Sequence, residues 1–314
     1  MRPRTFFIVG PTAAGKSELA ADVAHEIGAE IVSADAFQIY RGVNLLTAKP
    51  DAATLAKAPH HLIGTVPLHK EMNAEKFRTA ALRAIEEIHS REKMAIVVGG
   101  SGLYIKALTH GLAVLPQVDP ELRAKLNAMM IDELRSQLMQ LDPETARKID
   151  PKNRRRLVRA LEICIATGKR TSEQRGQWAV ADSPSGVFAF RDRDELYTRI
   201  NNRVEAMFEN GVIEEVRAAE AMSSTASQMI GWREIRQLLA AKMSILSASR
   251  TDSSRGEQCV AAIQQATRRY AKRQLTWFRR QTNFEPLNLS LLTHNEAVKW
   301  ILLRARRSFA HRDD

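Results

Sequence analysis

The chain has 314 residues, of which 44% are hydrophobic and 26% charged, a composition that excludes wholesale disorder and a bundle of membrane helices. Lysine and arginine outnumber the acidic residues 47 to 36, and the resulting net charge of +11 points to an anionic partner. Two cysteines, Cys164 and Cys259, cannot form a disulfide framework or a four-cysteine zinc site. An apolar segment begins at Thr5 and leaves no room for a signal peptide, so we expect a cytoplasmic protein without a membrane partner.

The first third of the chain alternates between strand and helix patterns. Short apolar segments at 5–9, 31–32 and 94–98 predict buried strands. Amphipathic segments at 16–27 and 73–92 predict the helices between them. Strands separated by helices favour an α/β fold in which helices cover a parallel sheet on both faces.

The pattern changes after residue 116. Residues 120–167 have only helical periodicity, interrupted at two Asp-Pro pairs, before a strand candidate at 187–190. We therefore expect an all-helical insertion domain, residues 117–185, within a core formed by 1–116 and 186–314. The rest of the chain is predicted to be helical, with a mobile Ser-rich loop at 244–254. The predicted C-terminal helices are 192–221, 228–242, 257–281 and 294–308.

A phosphate-loop motif lies between the first strand and the first helix. Glycines in this G-x-x-x-x-G-K-[ST] pattern allow backbone N–H groups to surround phosphate oxygens, while the helix N-terminus adds its dipole. Lys16 supplies a positive charge and Ser17 a hydroxyl ligand for Mg²⁺. The motif predicts a di- or triphosphate site of the ATP-binding type without specifying the ligand. Its residues are Gly10, Pro11, Thr12, Ala13, Ala14, Gly15, Lys16 and Ser17.

Asp35 follows the second strand and is the candidate acid beside this loop, because the 94–98 strand ends in Gly99-Gly100 instead. Two roles are open for its carboxylate, a metal ligand or a general base. Alternatively, Asp35 is a solvated loop residue without a role in the site.

Several collinear segments resemble the tRNA dimethylallyltransferases, also called tRNA isopentenyltransferases. Each segment is weak evidence alone, but their number and order extend from Val9 to about Arg280. The segments are SADAFQIYR at 33–41, TAKP at 47–50, PHHLI at 59–63, VVGGSGLY at 97–104, RLVRALE at 156–162, TS at 171–172, LYTRIN at 196–201, IGWRE at 230–234 and TRRYAKRQLTW at 267–277.

The resemblance implies a P-loop NTPase-like core and transfer of a dimethylallyl group from dimethylallyl diphosphate to N6 of adenosine 37 in tRNA. It assigns the phosphate loop to the diphosphate, whose developing charge Lys16 and Mg²⁺ would neutralise. Asp35 would take the proton of the adenine amine. The adenosine would be flipped into a channel lined by Asp35, Ala36, Phe37 and Gln38, and Ser101 would supply a second hydroxyl contact.

The resemblance also implies two sets of tRNA contacts. The insertion would contribute Arg123, Arg155, Arg156, Leu157, Val158 and Arg159. The C-terminal half would contribute Gln228, Ile230, Gly231, Trp232 and Arg233.

The chain departs from the family pattern at four positions. Ala36 stands where the family usually has Ser, Ser101 where it has Thr, Leu46 where Gly is common, and Trp232 where Tyr is common. Ser101 keeps a hydroxyl, whereas Ala36 loses one hydrogen bond near the base.

Basic residues on the 257–281 helix support an RNA partner independently of the resemblance. Arg269, Lys272, Arg273 and Arg280 fall within an arc of about 100° on a helix. Tyr270 and Trp277 run along its edge and could either stack on RNA or pack in the core.

Other residues allow structural interpretations. The arginines at 154–159 could form a solvated helix face. His60 and His61 have no neighbouring acid or Cys at metal-ligand spacing, and we expect them to be structural.

Two other functions fit part of the sequence. A small-molecule P-loop kinase accounts for the phosphate loop and Asp35 but not for the arginine clusters. A non-catalytic RNA-binding ATPase accounts for the charge but not for the position of Asp35 and Gln38. For the function that the resemblance implies, we expect a monomer.

Overall fold

The computed structural model describes residues 5–112, 119–174, 184–219, 221–243, 251–281 and 284–310. The chain divides into two compact units, one formed by Met1–Thr109 with Ala181–Asp314 and the other by His110–Val180. None of the described helices is both long and apolar enough to cross a bilayer.

The first unit is built on a parallel sheet. Strands β1, β2, β4 and β5 lie where the apolar segments predict them, and the order across the sheet is β3-β2-β4-β1-β5-β6. The sequence did not predict β3 or β6, since β3 has two residues and β6 is an edge strand with Pro286 and one buried side chain. The strands are β1 (Thr5–Val9), β2 (Glu30–Ser33), β3 (His60–His61), β4 (Ala95–Gly99), β5 (Gly186–Phe190) and β6 (Glu285–Asn288).

The helices follow in chain order, with short 3-10 turns at Ala226–Gln228 and Leu289–Leu291. They are α1 (Lys16–Ile27), α2 (Ala52–Ala56), α3 (Ala74–Ser90), α4 (Gly102–His110), α5 (Pro120–Ala128), α6 (Ile131–Leu141), α7 (Pro143–Lys148), α8 (Arg154–Thr167), α9 (Thr171–Gln174), α10 (Arg193–Glu209), α11 (Val212–Ala218), α12 (Trp232–Met243), α13 (Thr251–Gln281) and α14 (His294–Ala310).

Two predicted elements need correction. The helix predicted over 192–221 is two helices, because Gly211 takes φ +91° between α10 and α11, a backbone conformation that glycine adopts without strain. The Ser-rich loop predicted over 244–254 is wrong at its C-terminal end, where α13 begins at Thr251. Residues 244–250 lie outside the described residues.

Both faces of the sheet are buried. Alternate residues of β1 point to opposite faces, with Phe6 and Ile8 on the face of α1 and α14 and Phe7 and Val9 on the other. Parallel register pairs each β1 residue with one of β4, from Thr5 with Ala95 to Val9 with Gly99. This register brings the carboxyl ends of β1 and β4 to the same level of the sheet.

The two histidines of β3 have structural partners. His61 Nε2 lies 2.8 Å from Glu30 Oε2, and Arg91 Nη2 lies 2.7 Å from the same oxygen. These contacts lower the pKa of the Glu30 carboxyl to about 2 against the opposing effect of burial. His60 Nδ1 lies 2.7 Å from the carbonyl oxygen of Ala58.

The second unit has a small helical core of its own, centred on leucines of α6 and α8. Glu162 is buried there and accepts hydrogen bonds from Arg123 Nε at 2.5 Å and Arg159 Nη1 at 3.2 Å. Leu157 and Leu161 of α8 are buried in this core, whereas Ile165 of the same helix is exposed. Cys164 also packs in this core.

Candidate active site

The loops that follow three strands of the sheet meet at one site. Gly10 follows β1, Asp35 follows β2 and Gly100 follows β4. Backbone hydrogen bonds join the loops, since Gly10 N donates to Gly99 O at 3.2 Å and Ala34 N donates to Val98 O at 2.7 Å. Ligands of open α/β folds bind outside the carboxyl ends of the strands, where these loops meet.

The phosphate loop has the geometry that its sequence predicts. Gly15 takes φ +96° at the N-terminus of α1, and a Cβ on Gly10 would lie 1.9 Å from the carbonyl oxygen of Ala189 in β5. Lys16 is buried, and its Nζ donates to Pro11 O at 2.6 Å. Burial lowers the pKa of Lys16 to about 8, so this ammonium group is charged at neutral pH.

Three arginines that the sequence analysis did not single out hold the phosphate loop. Arg191 Nε donates to Ala14 O at 3.0 Å, and Arg199 Nε donates to Ala13 O at 2.9 Å. Arg203 Nη2 donates to Thr12 Oγ1 at 2.9 Å. The sequence does place Arg199 and Arg203 on one face of α10, because they are spaced i, i+4. Helical spacing alone does not indicate that this face contacts the phosphate loop.

Arg203 is the arginine best placed to bind an anion. Burial lowers its pKa to about 10, which leaves it charged at neutral pH. Its Nε is buried without a hydrogen-bond partner among the described residues. A buried, unpaired guanidinium donor is costly, and an anionic ligand at the phosphate loop would satisfy it.

Asp35 begins a turn at the edge of the same site. Its Oδ1 accepts hydrogen bonds from the backbone N–H groups of Phe37 at 2.9 Å and Gln38 at 3.2 Å. The carboxylate also interacts electrostatically with Lys16 and Arg203. Asp35 is therefore oriented by its own turn and faces the two cations.

The other predicted channel residues are arranged around this turn. Ser101 Oγ accepts a hydrogen bond from Ala36 N at 2.9 Å, and Gln38 Nε2 donates to Ala48 O at 2.9 Å. Phe37 is half-buried and packs against the core.

Two adjacent cavities meet at these residues. The larger has a volume of about 280 Å³ and is lined by Thr12, Lys16, Ser17 and Asp35, among others. The smaller has a volume of about 60 Å³ and mostly apolar walls. Thr12, Asp35, Ala48 and Arg203 line both cavities.

Helix α13 connects the phosphate loop to the loop after β4. Gln274 accepts a hydrogen bond from Thr12 N at 2.9 Å and donates one to Gly100 O at 2.9 Å. The Tyr270 side chain bonds to Ser101 and Gln274, and burial raises the pKa of its hydroxyl. The sequence left stacking on RNA and packing in the core open for Tyr270. The structure instead gives its hydroxyl hydrogen-bond partners within the site.

The other residues of α13 divide between the core and the surface. A Cβ on Gly102 would lie 2.4 Å from Trp277, so this indole packs directly on the α4 backbone. Arg269, Lys272, Arg273 and Arg280 are exposed, and the Arg273 guanidinium lies 5.6 Å from the centre of the Tyr270 ring.

The residues predicted to contact tRNA from the C-terminal half differ in exposure. Gln228 and Arg233 are exposed, Ile230 and Trp232 are half-buried, and Gly231 is buried with φ +92°.

In the second unit one prediction needs correction. Leu157 and Val158 were expected to contact RNA, but their side chains are buried in the helical core of that unit. Arg155 and Arg156 are exposed, as an RNA contact requires. Arg123 is bound to Glu162 through a second hydrogen bond, from Nη2 to Oε2 at 2.8 Å.

A magnesium ion at this site would have few protein ligands and would depend on phosphate oxygens and water for the others. The described residues contain no group of three or more His, Cys, Asp or Glu side chains placed to hold a metal. Ser17 and Asp35 line the phosphate cavity, and one or two such oxygens with substrate phosphates and water are typical magnesium ligands.

Known proteins that resemble this chain identify its family. The family model described as IPP transferase matches residues 38–281, well over half of the chain. The chain belongs to the IPP transferase family. It is 44% identical over 281 residues to the tRNA dimethylallyltransferase 1 of Citrifermentans bemidjiense, covering 87% of this chain and 88% of the relative. It is 40% identical to the tRNA dimethylallyltransferase of Geobacter sulfurreducens, covering 96% and 92% of the two chains.

Solved structures in the same family have a similar fold. The crystal structure of a tRNA isopentenylpyrophosphate transferase from Staphylococcus epidermidis aligns with a TM-score of 0.68 at 30% identity, covering 98% of this chain and all of that one. A eukaryotic dimethylallyltransferase acting on tRNA aligns with a TM-score of 0.74 at 26% identity, over 90% of this chain and 73% of that one. The resemblance stated from the sequence motifs is therefore confirmed.

Proposed function

We propose that this chain transfers the dimethylallyl group of dimethylallyl diphosphate to N6 of adenosine 37 in tRNA, releasing diphosphate. The observation that carries the proposal is the junction of the two cavities. There a cationic phosphate site and an apolar pocket share Asp35, Thr12 and Arg203. A donor with a charged head and an apolar tail fits both cavities at once, with its reacting carbon near the shared carboxylate.

The residues account for each part of the reaction. The C1–O bond of the donor breaks with its electrons passing to the diphosphate, whose charge Lys16, Arg203 and the loop N–H groups stabilise. The adenine N6 lone pair forms the new N–C1 bond, and Asp35 accepts the proton that N6 loses. Ser17 would ligate Mg²⁺, which adds positive charge at the leaving diphosphate.

The tRNA would be bound by exposed basic residues. Arg269 and Arg273 of α13, together with Arg155 and Arg156 of α8, are placed on the surface, where phosphate contacts are made. We expect a cytoplasmic monomer, in which the buried cysteines Cys164 and Cys259, which form no disulfide, would fit a reducing compartment.

The kinase alternative accounts for the phosphate loop and Asp35 but not for the rest of the site. A kinase uses a nucleotide at the phosphate loop and has no use for a small apolar cavity beside the phosphates. An RNA-binding ATPase likewise does not account for the position of Asp35.

Replacement of the proposed base tests the function. We expect Asp35→Asn to reduce prenyl transfer by about 10²- to 10⁴-fold, the usual contribution of a general base, while tRNA binding is retained. Asp51→Asn is the matched control, because Asp51 lines the same cavity but caps α2 through Thr54 N at 2.8 Å. Transfer is measured by digesting the tRNA and weighing its nucleosides. Turnover of Asp35→Asn close to that of the control would overturn the assignment of the base.

A further inference from the structure

Residues 43–49 form a single helical turn beside the site, called here the 43–49 turn. Its last residues close it in the manner of a helix end, with one residue in the left-handed conformation. That residue is Ala48, which has φ +49° and lines both cavities. The backbone hydrogen bonds of the turn run from Thr47 N to Val43 O at 3.4 Å, from Ala48 N to Leu45 O at 3.0 Å and from Lys49 N to Asn44 O at 3.0 Å.

The left-handed backbone of Ala48 needs support from outside the turn. This conformation is unfavourable for any residue with a Cβ, and it persists where surrounding contacts fix the backbone. Ala48 is therefore a place where contacts made elsewhere in the fold determine the shape of the site.

Glu215 of α11 provides such a contact. Its Oε1 accepts a hydrogen bond from Leu45 N at 2.9 Å, and its Oε2 accepts one from Leu46 N at 2.8 Å. The first N–H groups of a helical turn have no partner within the turn, and a carboxylate is the group best suited to bind them. Since Glu215 is 170 and 169 positions away from these two leucines, its side chain fastens the turn to a distant part of the chain.

Gln38 connects the 43–49 turn to the proposed base. Its Nε2 donates to Ala48 O at 2.9 Å, and its backbone N–H donates to Asp35 Oδ1 at 3.2 Å. Gln38 and Asp35 line the phosphate cavity together. A series of contacts therefore runs from Glu215 through the turn and Gln38 to the Asp35 carboxylate.

We propose that Glu215 is a positioning residue, which holds the 43–49 turn so that Ala48 and Gln38 keep the Asp35 carboxylate in place for proton transfer. The inference rests on the proposed prenyl transfer. Glu215 is not among the described residues that line either cavity, so it would act without touching the substrate. The phosphate loop has its own support from the arginines of β5 and α10, and diphosphate binding should not depend on Glu215.

Replacement of Glu215 tests this role. We expect Glu215→Ala to lower kcat for prenyl transfer about 10- to 10²-fold, because a misplacement of about 1 Å can cost on the order of 10²-fold. The Kd of inorganic diphosphate should equal that of wild type. Glu214→Ala is the matched control, since Glu214 is exposed on the same helix and pairs with Arg217 at 3.6 Å. A kcat of Glu215→Ala equal to that of the control would overturn the proposal.

A double-mutant cycle with Gln38 separates positioning from a general loss of structure. Residues of one hydrogen-bond network have non-additive effects, so Glu215→Ala should lower kcat much less in a Gln38→Ala background than in wild type. Glu215→Gln keeps one acceptor oxygen, and its kcat should lie between those of wild type and Glu215→Ala. It replaces the alanine variant in the cycle if that variant does not fold. An equal reduction of kcat in both backgrounds would overturn the proposal.

Hydrogen exchange tests the contact without any prenyl transfer. The amide protons of Leu45 and Leu46 should exchange slowly in wild type and faster in Glu215→Ala, whereas the amides of β1 and β4 should stay protected in both proteins. Equal exchange of the two leucine amides in wild type and Glu215→Ala would show that the carboxylate does not hold the turn, and the proposal would be wrong. Absence of product from wild-type protein with protected leucine amides would instead refute the proposed function.

Discussion

Lys16, Arg203 and Asp35 form a charged group of three side chains at the phosphate loop. Desolvation disfavours the charged form of each cation and lowers the pKa of Lys16 to about 8 and that of Arg203 to about 10. Both values remain above neutral pH, so within this group two positive charges face one carboxylate. The excess positive charge of this group would be neutralised when a diphosphate binds.

This balance predicts a pH dependence of diphosphate binding. Above about pH 8 Lys16 loses its proton in the free protein, so the affinity for inorganic diphosphate should fall as the pH rises from 7 to 9. A bound anion favours the protonated amine, and binding at pH 8–9 should therefore take up a proton. Titration calorimetry in buffers of different ionisation enthalpy measures both quantities.

Lys16→Arg is the control for this prediction, because arginine stays protonated in this range. The ratio of the two Kd values cancels the titration of diphosphate itself. A ratio that is constant between pH 7 and 9 would show that Lys16 does not titrate there.

At the scale of single residues, the sequence predicts features that lie within one short segment. The phosphate loop lies within eight consecutive residues, and its spacing alone predicts its conformation. Arg203 and Gln274, by contrast, are 191 and 262 residues away from their partner Thr12. Such distant residues are brought together by the sheet topology. A pattern along the sequence does not indicate which of them will meet.

Helix α13 is the element that organises the site. One of its faces supplies Gln274 and Tyr270 to the loops after β1 and β4, and Trp277 packs on the first turn of α4. The face opposite the core carries the exposed arginines. The amphipathic pattern predicts the basic face of this helix, whereas the destination of its aromatic residues depends on packing with α4.

Close packing at Gly102 predicts a specific loss of stability. A methyl group there would lie 2.4 Å from the rigid Trp277 ring, so Gly102→Ala should lower the free energy of unfolding by about 1–3 kcal/mol. It should also impair prenyl transfer, because Tyr270 and Gln274 would shift with the helix. Denaturant unfolding and the nucleoside assay measure the two effects.

Gly256 on the same helix offers the comparison. A Cβ there meets nothing within 4 Å, and alanine is favoured over glycine in helices by about 1 kcal/mol. Gly256→Ala should therefore leave activity unchanged and stability equal or slightly higher. Equal stabilities of the two variants would contradict the packing described for Trp277.

Elements that the sequence did not predict lack a strong pattern. β3 has two residues, β6 contains a proline, and the break between α10 and α11 depends on one glycine at φ +91°. Hydrophobic periodicity continues across that break, so it gives no sign of the change in direction.

The whole molecule consists of an α/β unit that contains the phosphate loop and Asp35 and a helical unit with its own core. Alternation of strands and helices predicts the first unit, and a long segment with only helical periodicity predicts the second. The net charge of +11 is consistent with an RNA substrate. Individual RNA contacts are less predictable. The resemblance assigns Leu157, Val158 and Arg123 to RNA, yet these residues have structural contacts in the helical unit.

The most direct test of the account is to weigh the product nucleosides of a single reaction. Purified protein is incubated with dimethylallyl diphosphate, Mg²⁺ and unmodified tRNA with adenosines at positions 36–38, and the tRNA is then digested. The account predicts an adenosine at position 37 that has gained the mass of C5H8, formed with one equivalent of diphosphate. An unmodified adenosine, together with ATP-dependent phosphorylation of a small molecule, would contradict it.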